Sequence, residues 1–440
     1  MAPPPLRVLI SGAGIAGPAL ALHLSRLPAP LTCDITIVER HPDLRATGQQ
    51  VDLRGQGVVA MRALGLEAQV RAIVVNEPGL RIVDRRRGAL RAYFGSNKSG
   101  KGAQGFSAEW ELMRGDLCGV LYEATKGLPR VRYVFGTTVE RLEHVRDGTA
   151  ARVWLSDGTE AEYDLVVGCD GVGSRVRRTM FSDGRPDKSI PTGMWCAYYS
   201  IPAEEGDTPD AEWCYLSGRR FFLTRKDKPD CMRVFLGYAG VDDEFVKTAK
   251  HGTIPEQKQA WINAFKHDLL DSFKVSRLLK GLDSPEANDF YTQQFAQIKL
   301  DNWSEGRIAV LGDSASCPAP LTGQGTSLAL CGAYVLAGEI ARACNRAAEK
   351  EDANPWDSIP VALAAYESTL RPFVRSIQGD SVKTTVNLMC PESDWFIDLL
   401  QFGCSVFTKL RLDRLLARLQ SDNTGSWRLP NYPEMAVPKA

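Results

Sequence analysis

A chain of 440 residues is long for a single hydrophobic core and predicts two or three domains. Its composition is globular, 44% hydrophobic and 24% charged, and 53 basic residues balance 53 acidic ones, so no net field recruits nucleic acid or an anionic membrane. Five dispersed histidines and eleven cysteines without a CxxC pair argue against a zinc or non-haem iron centre, and the odd cysteine count predicts free thiols in a reducing, cytoplasmic compartment.

Leu6 to Ser11 reads as a buried strand, and it runs straight into Gly12-x-Gly14-x-x-Gly17, which predicts no secretory leader. Ile15, Ala16, Ala19, Leu20 and Leu24 then recur at helical spacing, with Pro18 tolerated in the first turn because its missing N–H has no helical partner there. Asp34 to Glu39 is a second strand ending in an acid, which completes a βαβ opening. A polar stretch, Gly48 to Gly57, precedes a short helix, Val58 to Leu64, stopped by Gly65.

Leu80 to Phe94 alternates apolar and basic residues as a hairpin does, and Leu112 to Thr125 reads as helix. The basic clusters Arg85-Arg86-Arg87 and Arg219-Arg220 read as exposed turns. Leu165-Val166-Val167 is a buried strand running into Asp170-Gly171. After about Arg178, tryptophan, tyrosine and phenylalanine crowd into a β-rich stretch, and helix-prone sequence follows from Glu244 to Lys280. Ile308 to Leu311 returns to the buried-strand type before Gly312-Asp313 and the Gly323-Gln324-Gly325 helix start. No stretch reaches the roughly 18 to 20 apolar residues that span a bilayer. Trp395 to Leu419, interrupted by Asp398, Lys409, Arg411, Asp413 and Arg414, reads as an amphipathic helix packed on the protein.

The first glycine cluster carries specific chemistry. Gly12 permits the tight strand-to-helix turn, Gly14 lets a pyrophosphate approach the backbone, and Gly17 lets helix and strand pack closely. The helix N-terminus adds unpaired N–H groups and partial positive charge. Glu39 lies at the right distance for a carboxylate to accept both ribose hydroxyls, which disfavours a 2′-phosphate. At the far end, Asp313 can accept from a ribityl hydroxyl, and the Gly323 to Gly325 helix start can face the negative charge of a reduced flavin. Two clusters built for one dinucleotide point to FAD.

In order and spacing, these segments resemble the three fingerprints of the group A flavoprotein monooxygenases, the p-hydroxybenzoate hydroxylase family, over roughly residues 6 to 375. Within it the chain is most similar to the branch of tetracycline-inactivating and secondary-metabolite hydroxylases. The resemblance implies a Rossmann-like α/β FAD-binding domain (1–73 with 107–180 and 286–375), an inserted antiparallel β substrate domain (74–106 with 181–285) and a C-terminal helical segment (376–440). It also implies cofactor contacts for Glu39, Arg40, Gly48, Asp52, Arg114, Asp170, Arg177, Gly312, Asp313, Gly323 and Gly325. Ser314 and Ser316 stand where many members have alanine and histidine, Ser327 where they have asparagine, and Gly332 where they have aspartate.

By that resemblance NADPH or NADH reduces FAD transiently, O2 gives a flavin C4a-hydroperoxide, and one oxygen atom reaches an electron-rich aromatic substrate in a monomer or homodimer. Trp213 and Phe222 are expected to line the substrate site, with Tyr199 and Arg225 as candidates for binding or deprotonating a phenol. Three alternatives share the fold. They are a flavin halogenase, although Ala197 to Pro202 lacks both tryptophans of its WxWxIP signature; an oxidase or dehydrogenase; and a non-enzymatic binding protein.

Overall fold

The computed structural model describes residues 3–45, 48–97, 109–145, 148–180, 188–268, 272–349, 354–379, 382–411 and 427–435. A six-stranded sheet runs in the order Ser304–Glu305, Ile308–Val310, Leu165–Gly168, Leu6–Ser11, Cys33–Glu39, Val131–Phe135. All its pairs are parallel except the first. Such strands are covered on both faces, which is why they read as unbroken apolar runs. The chain leaves Leu6–Ser11 toward one side and returns to it from the other, so the crevice beyond its C-terminal end is the topological switch point where ligands of doubly wound sheets bind.

The helix Ala16–Leu24 is buried along its whole length. It packs against Gly325–Ala348, a 24-residue helix. That second helix is long and apolar enough to cross a membrane, contrary to the reading from sequence. Since 89% of its apolar window is buried inside the protein, it is a core helix of the fold.

A seven-stranded sheet runs in the order Tyr291–Ile298, Ser189–Pro202, Cys231–Tyr238, Arg220–Lys228, Ala211–Leu216, Gly79–Val83, Leu90–Gly95. Its pairs are antiparallel except Ala211–Leu216 with Gly79–Val83. The strand Tyr291–Ile298, assigned from sequence to the FAD-binding part, is hydrogen-bonded into this sheet along Ser189–Pro202. Helices Asp243–His251, Ile254–Phe265 and Val275–Gly281 contribute Phe245, Trp261, Phe265 and Leu278 to the core on one face. The expected helix from Leu112 begins as a strand, Trp110–Met113, paired antiparallel with Gln50–Leu53, before the helix Arg114–Glu123.

The helix Asp394–Lys409 corresponds to the expected amphipathic segment, although Asp413 and Arg414 lie outside the described residues. Only Ile397 and Gln401 are buried on it, whereas Trp395, Leu399, Phe402 and Val406 face outward. The helix packs on the edge of the sheet as the sequence suggested, with Phe407 against Phe94 and Gln401 Nε2 donating to Val83 O, while a second apolar set stays exposed on its outer side.

Candidate active site

A cavity of about 730 Å³ lies between the two large sheets, within the range of about 300 to 1,000 Å³ usual for small-molecule sites. Gly14, Ile15 and Ala16 wall one end, together with Asp313, Gly323 and Gly325 from nearly three hundred residues later. Both glycine clusters thus border one space. They meet where a Cβ on Gly312 would sit 3.2 Å from Ala16 Cβ.

Steric constraints separate the roles of the first three glycines. Gly12 has φ +113°, and a Cβ there would come within 2.5 Å of the Cys169 carbonyl oxygen. A Cβ on Gly17 would collide with the Gly12 carbonyl oxygen, which enforces the close helix–strand approach. Gly14 differs: the nearest atom to its Cβ position is Arg114 Nη2 at 3.5 Å, an ordinary contact. Its bare Cα therefore serves the cavity and whatever lies in it, not the packing of the apoprotein.

Glu39 ends its strand with Oε2 accepting from Ala13 N–H at 2.9 Å and Oε1 from His41 N–H at 3.0 Å. Arg40 is exposed, and neither residue is among those lining the cavity. Arg114 does line it; its backbone N–H donates to Gln49 O at 3.0 Å, and a Cβ on Gly48 would lie 3.1 Å from Arg114 Cβ. Asp52, also in the wall, pairs with Arg54 at 2.7 Å. Gly323, at φ +61°, comes so close that a side chain there would meet Asp52 Oδ2 at 2.9 Å.

Asp170 and Arg177 do not border the cavity; they brace it. Asp170 Oδ2 accepts from Arg175 and Val176 N–H at 2.7 and 3.2 Å, starting the helix Arg175–Met180. Arg177 is buried, and its guanidinium donates to Ser314 O at 3.1 Å and to Val172 O. Ser314 Oγ accepts from Gly171 N–H at 2.8 Å and donates to Asp170 Oδ1 at 3.2 Å. The serine that departs from the family's alanine therefore stitches the Asp170-Gly171 turn to the Gly312-Asp313 turn. Ser327, another departure, accepts from Arg54 N–H at 2.9 Å and fixes the end of the strand Gln50–Leu53 against the long helix.

Asp313 lines the cavity, and burial raises its carboxyl pKa, with the Arg114 charge pulling the other way. A carboxylate in that condition gains from hydroxyl donors that reach it. Gly325 stands beside it at the start of the long helix, whose first N–H groups have no intrahelical partner.

The other end of the cavity is the open face of the seven-stranded sheet. Met194, Cys196, Tyr198, Trp213, Phe221 and Arg225 line it. Of the residues expected there, Trp213 and Arg225 are among those lining the cavity. Tyr199 and Phe222 are not: strand alternation turns both to the helix-covered face, where Tyr199 Oη donates to Leu278 O at 2.8 Å. Their neighbours Tyr198 and Phe221 face the cavity instead. Tyr291, from the strand missed in the domain assignment, stacks on Tyr198 with ring centroids 4.8 Å apart. Burial pushes the Tyr291 hydroxyl up to about 12 and raises that of Tyr198, so both are proton donors near neutrality and not bases.

Arg225 carries a feature that the sequence did not disclose. Its Nη1 lies 3.1 Å from Glu111 Oε2 and its Nε 3.7 Å from Glu77 Oε2, both carboxylates being buried. Gln50 Nε2 also donates to Glu111. Glu77 stands in the short run Asn76-Glu77-Pro78 and Glu111 alone between Trp110 and Leu112, so nothing local marked either as buried beside a site.

The donor set fits FAD: an open-sided glycine and helix start for a pyrophosphate, a buried carboxylate for a polyol, and a second helix start for the ring. Comparison with known proteins agrees. The model of the family described as "FAD binding domain" matches residues 5–353. The chain is 42% identical over 405 residues to flavin-dependent monooxygenase eupH of a Phoma species, covering 90% of each chain. It is 37% identical over 443 residues to FAD-dependent monooxygenase asL4 of Sarocladium schorii, covering 98% of this chain and 99% of the relative. Among solved structures, tetracycline destructase Tet(55) superposes with a TM-score of 0.72 at 25% identity, covering 98% of this chain and 100% of that one. A glycine-walled dinucleotide cavity closed by an aromatic sheet, in a chain of this likeness, places the protein in the FAD-binding-domain family of FAD-dependent monooxygenases, and it is an oxidoreductase of that family.

Proposed function

We propose that the protein inserts one oxygen atom from O2 into a phenolic, polyketide-like small molecule, consuming NADPH or NADH, in secondary metabolism or xenobiotic modification. The observation that carries this reading is the continuity of one cavity from the dinucleotide motifs to an aromatic sheet face. FAD, when bound, accepts reducing equivalents from the nicotinamide and activates O2 for transfer of a single oxygen. The likeness to monooxygenases eupH and asL4 supports the reaction class, and the likeness to a tetracycline destructase supports a polyketide-like substrate.

The chain's own residues bind, orient and dry the site. The N–H groups at the start of Ala16–Leu24 would hold the pyrophosphate, with Arg114 beside Gly14. Asp313 would accept from the ribityl hydroxyls, and the N–H groups at the start of Gly325–Ala348 would favour the negative charge of a reduced flavin. Trp213, stacked on Phe221 at 4.1 Å, gives a flat aromatic substrate a parallel surface. Leu321 and Met389 close the same wall with apolar surface that excludes water. No side-chain nucleophile is needed.

Anaerobic stopped-flow mixing with NADPH and with NADH, with and without polyketide phenols, tests the proposal. Substrate-stimulated bleaching of the flavin is expected, followed by one labelled oxygen in the product under 18O2. Flavin reduction by the organic substrate alone would point to an oxidase or dehydrogenase, and a chloride-dependent product to a halogenase.

A further inference from the structure

The charge arrangement around Arg225 bears on which aromatic molecule the cavity accepts, granted the monooxygenase reading above. An arginine on a cavity wall ordinarily invites a substrate carboxylate. Here two acids of the chain already flank the guanidinium, hydrogen-bonded through Nη1 to Glu111 and in ionic contact, beyond hydrogen-bond distance, with Glu77. Arg225 contacts Glu111 at 3.1 Å and Glu77 at 3.7 Å, and both acids are buried. Asp52 stands directly opposite Glu111 in the pairing of Gln50–Leu53 with Trp110–Met113, so two carboxylates share one face of that ribbon. Asp52 is in turn paired with Arg54 at 2.7 Å. Among the described residues, three carboxylates and two guanidiniums thus gather at this end of the cavity. Burial opposes the charge on Arg225, and the fields of Glu111, Glu77 and Asp52 more than offset that, so Arg225 is held charged as their counter-ion. The remaining cavity arginine, Arg114, lies beside Gly14 at the dinucleotide end.

The same wall holds a donor without an acceptor. Trp213 Nε1 is buried with no hydrogen-bond partner among the described residues, and Trp213 lines the cavity. An indole N–H can only donate, so it suits a neutral carbonyl or hydroxyl oxygen.

We propose that Glu77 and Glu111 are specificity-determining residues that make this end of the cavity select uncharged aromatic substrates with a neutral oxygen acceptor and reject aromatic carboxylates. A further anion here would meet the repulsion of two buried carboxylates at low dielectric, because both already stand at Arg225.

Calorimetric titration of the FAD-loaded protein with a hydroxynaphthoic acid and its methyl ester tests this. The ester is expected to bind at least about tenfold more tightly than the acid. Glu111→Gln keeps an oxygen for Arg225 but removes one negative charge, and should shrink or reverse that preference; Glu77→Gln serves the same purpose should E111Q fold poorly. Equal or tighter binding of the acid by the unaltered protein, failure to bind the ester at millimolar concentration, or a preference unchanged in both variants would overturn the inference. A flavin-loaded protein reduced by a nicotinamide but showing no such preference sinks this inference alone, whereas failure of nicotinamide reduction sinks the parent reading.

Discussion

The Ser314 hydroxyl lies 3.2 Å from Asp170 Oδ1, joining two turns that stand 144 residues apart in the chain. It also accepts from Gly171 N–H at 2.8 Å, while the Ser314 carbonyl receives Arg177. One fully buried hydroxyl therefore sets the spacing between the strand ends that open onto the cavity. Ser314→Ala leaves the Gly171 N–H and one Asp170 oxygen each short of a partner, at a cost of about 1–3 kcal/mol. The midpoint of urea denaturation should fall accordingly, and an unchanged midpoint would show that the link contributes nothing.

The glycine cluster allows packing to be separated from ligand contact. Gly12→Ala and Gly17→Ala place a methyl against backbone oxygen and should destabilise the protein severely, by about 3 kcal/mol or more, whether or not flavin is present. Gly14→Ala meets nothing closer than 3.5 Å and should fold as stably as the parent when flavin-free, yet bind FAD at least about tenfold more weakly. Thermal melts of stripped protein and flavin rebinding titrations give the two readings; equal FAD affinity in Gly14→Ala would remove the pyrophosphate from this turn.

Asp313 sets stability against cofactor binding. Burial raises its carboxyl pKa in the fold, so the flavin-free protein binds that proton more tightly than the unfolded chain does. Its contribution to stability is full below the ordinary carboxylate value of about 4 and is lost as pH rises through the raised value. At neutral pH, Asp313→Asn should therefore stabilise the flavin-free protein relative to the parent. The same change should weaken FAD binding by about tenfold or more, because hydroxyl groups lose an ionised acceptor. Stability curves against pH for both stripped proteins, together with flavin titration, decide this; a pH-independent difference between them would exclude Asp313 as the titrating group.

Facing direction on the aromatic sheet predicts opposite consequences for adjacent residues. Phe222→Ala empties a fully buried position among the covering helices and should cost about 3–5 kcal/mol of stability without altering ligand titration of the protein that remains folded. Trp213→Leu should weaken aromatic ligand binding with a smaller loss of stability. If Phe222→Ala alone changed ligand affinity, the assignment of faces would be wrong.

The legibility of these features in the sequence follows from their physics. Gly12 and Gly17 are readable because their spacing after a strand is dictated by backbone contact, and the folded chain shows those contacts, whereas Gly14 has no such contact and is legible only through the ligand it would admit. Facing direction in Trp195 to Ile201 is not readable. Both faces of that strand are buried, one under helices and one on the cavity, so no polar alternation marks either side. Tyr291 to Ile298 escapes for a related reason: Thr292, Gln293 and Gln294 supply too little apolar contrast to announce a strand, and its hydrogen bonds to Ser189–Pro202 decide its place. Glu77 and Glu111 owe their burial to Arg225, more than a hundred residues away, which no local pattern encodes.

Flavin content of the natively purified protein tests the central claim most directly: two distant glycine clusters enclose one FAD. Absorbance of the intact protein and chromatography of the released cofactor should give FAD at one per chain, with Asp313→Asn and Gly14→Ala both depleted. A colourless protein that takes up no FAD when it is supplied would contradict the account.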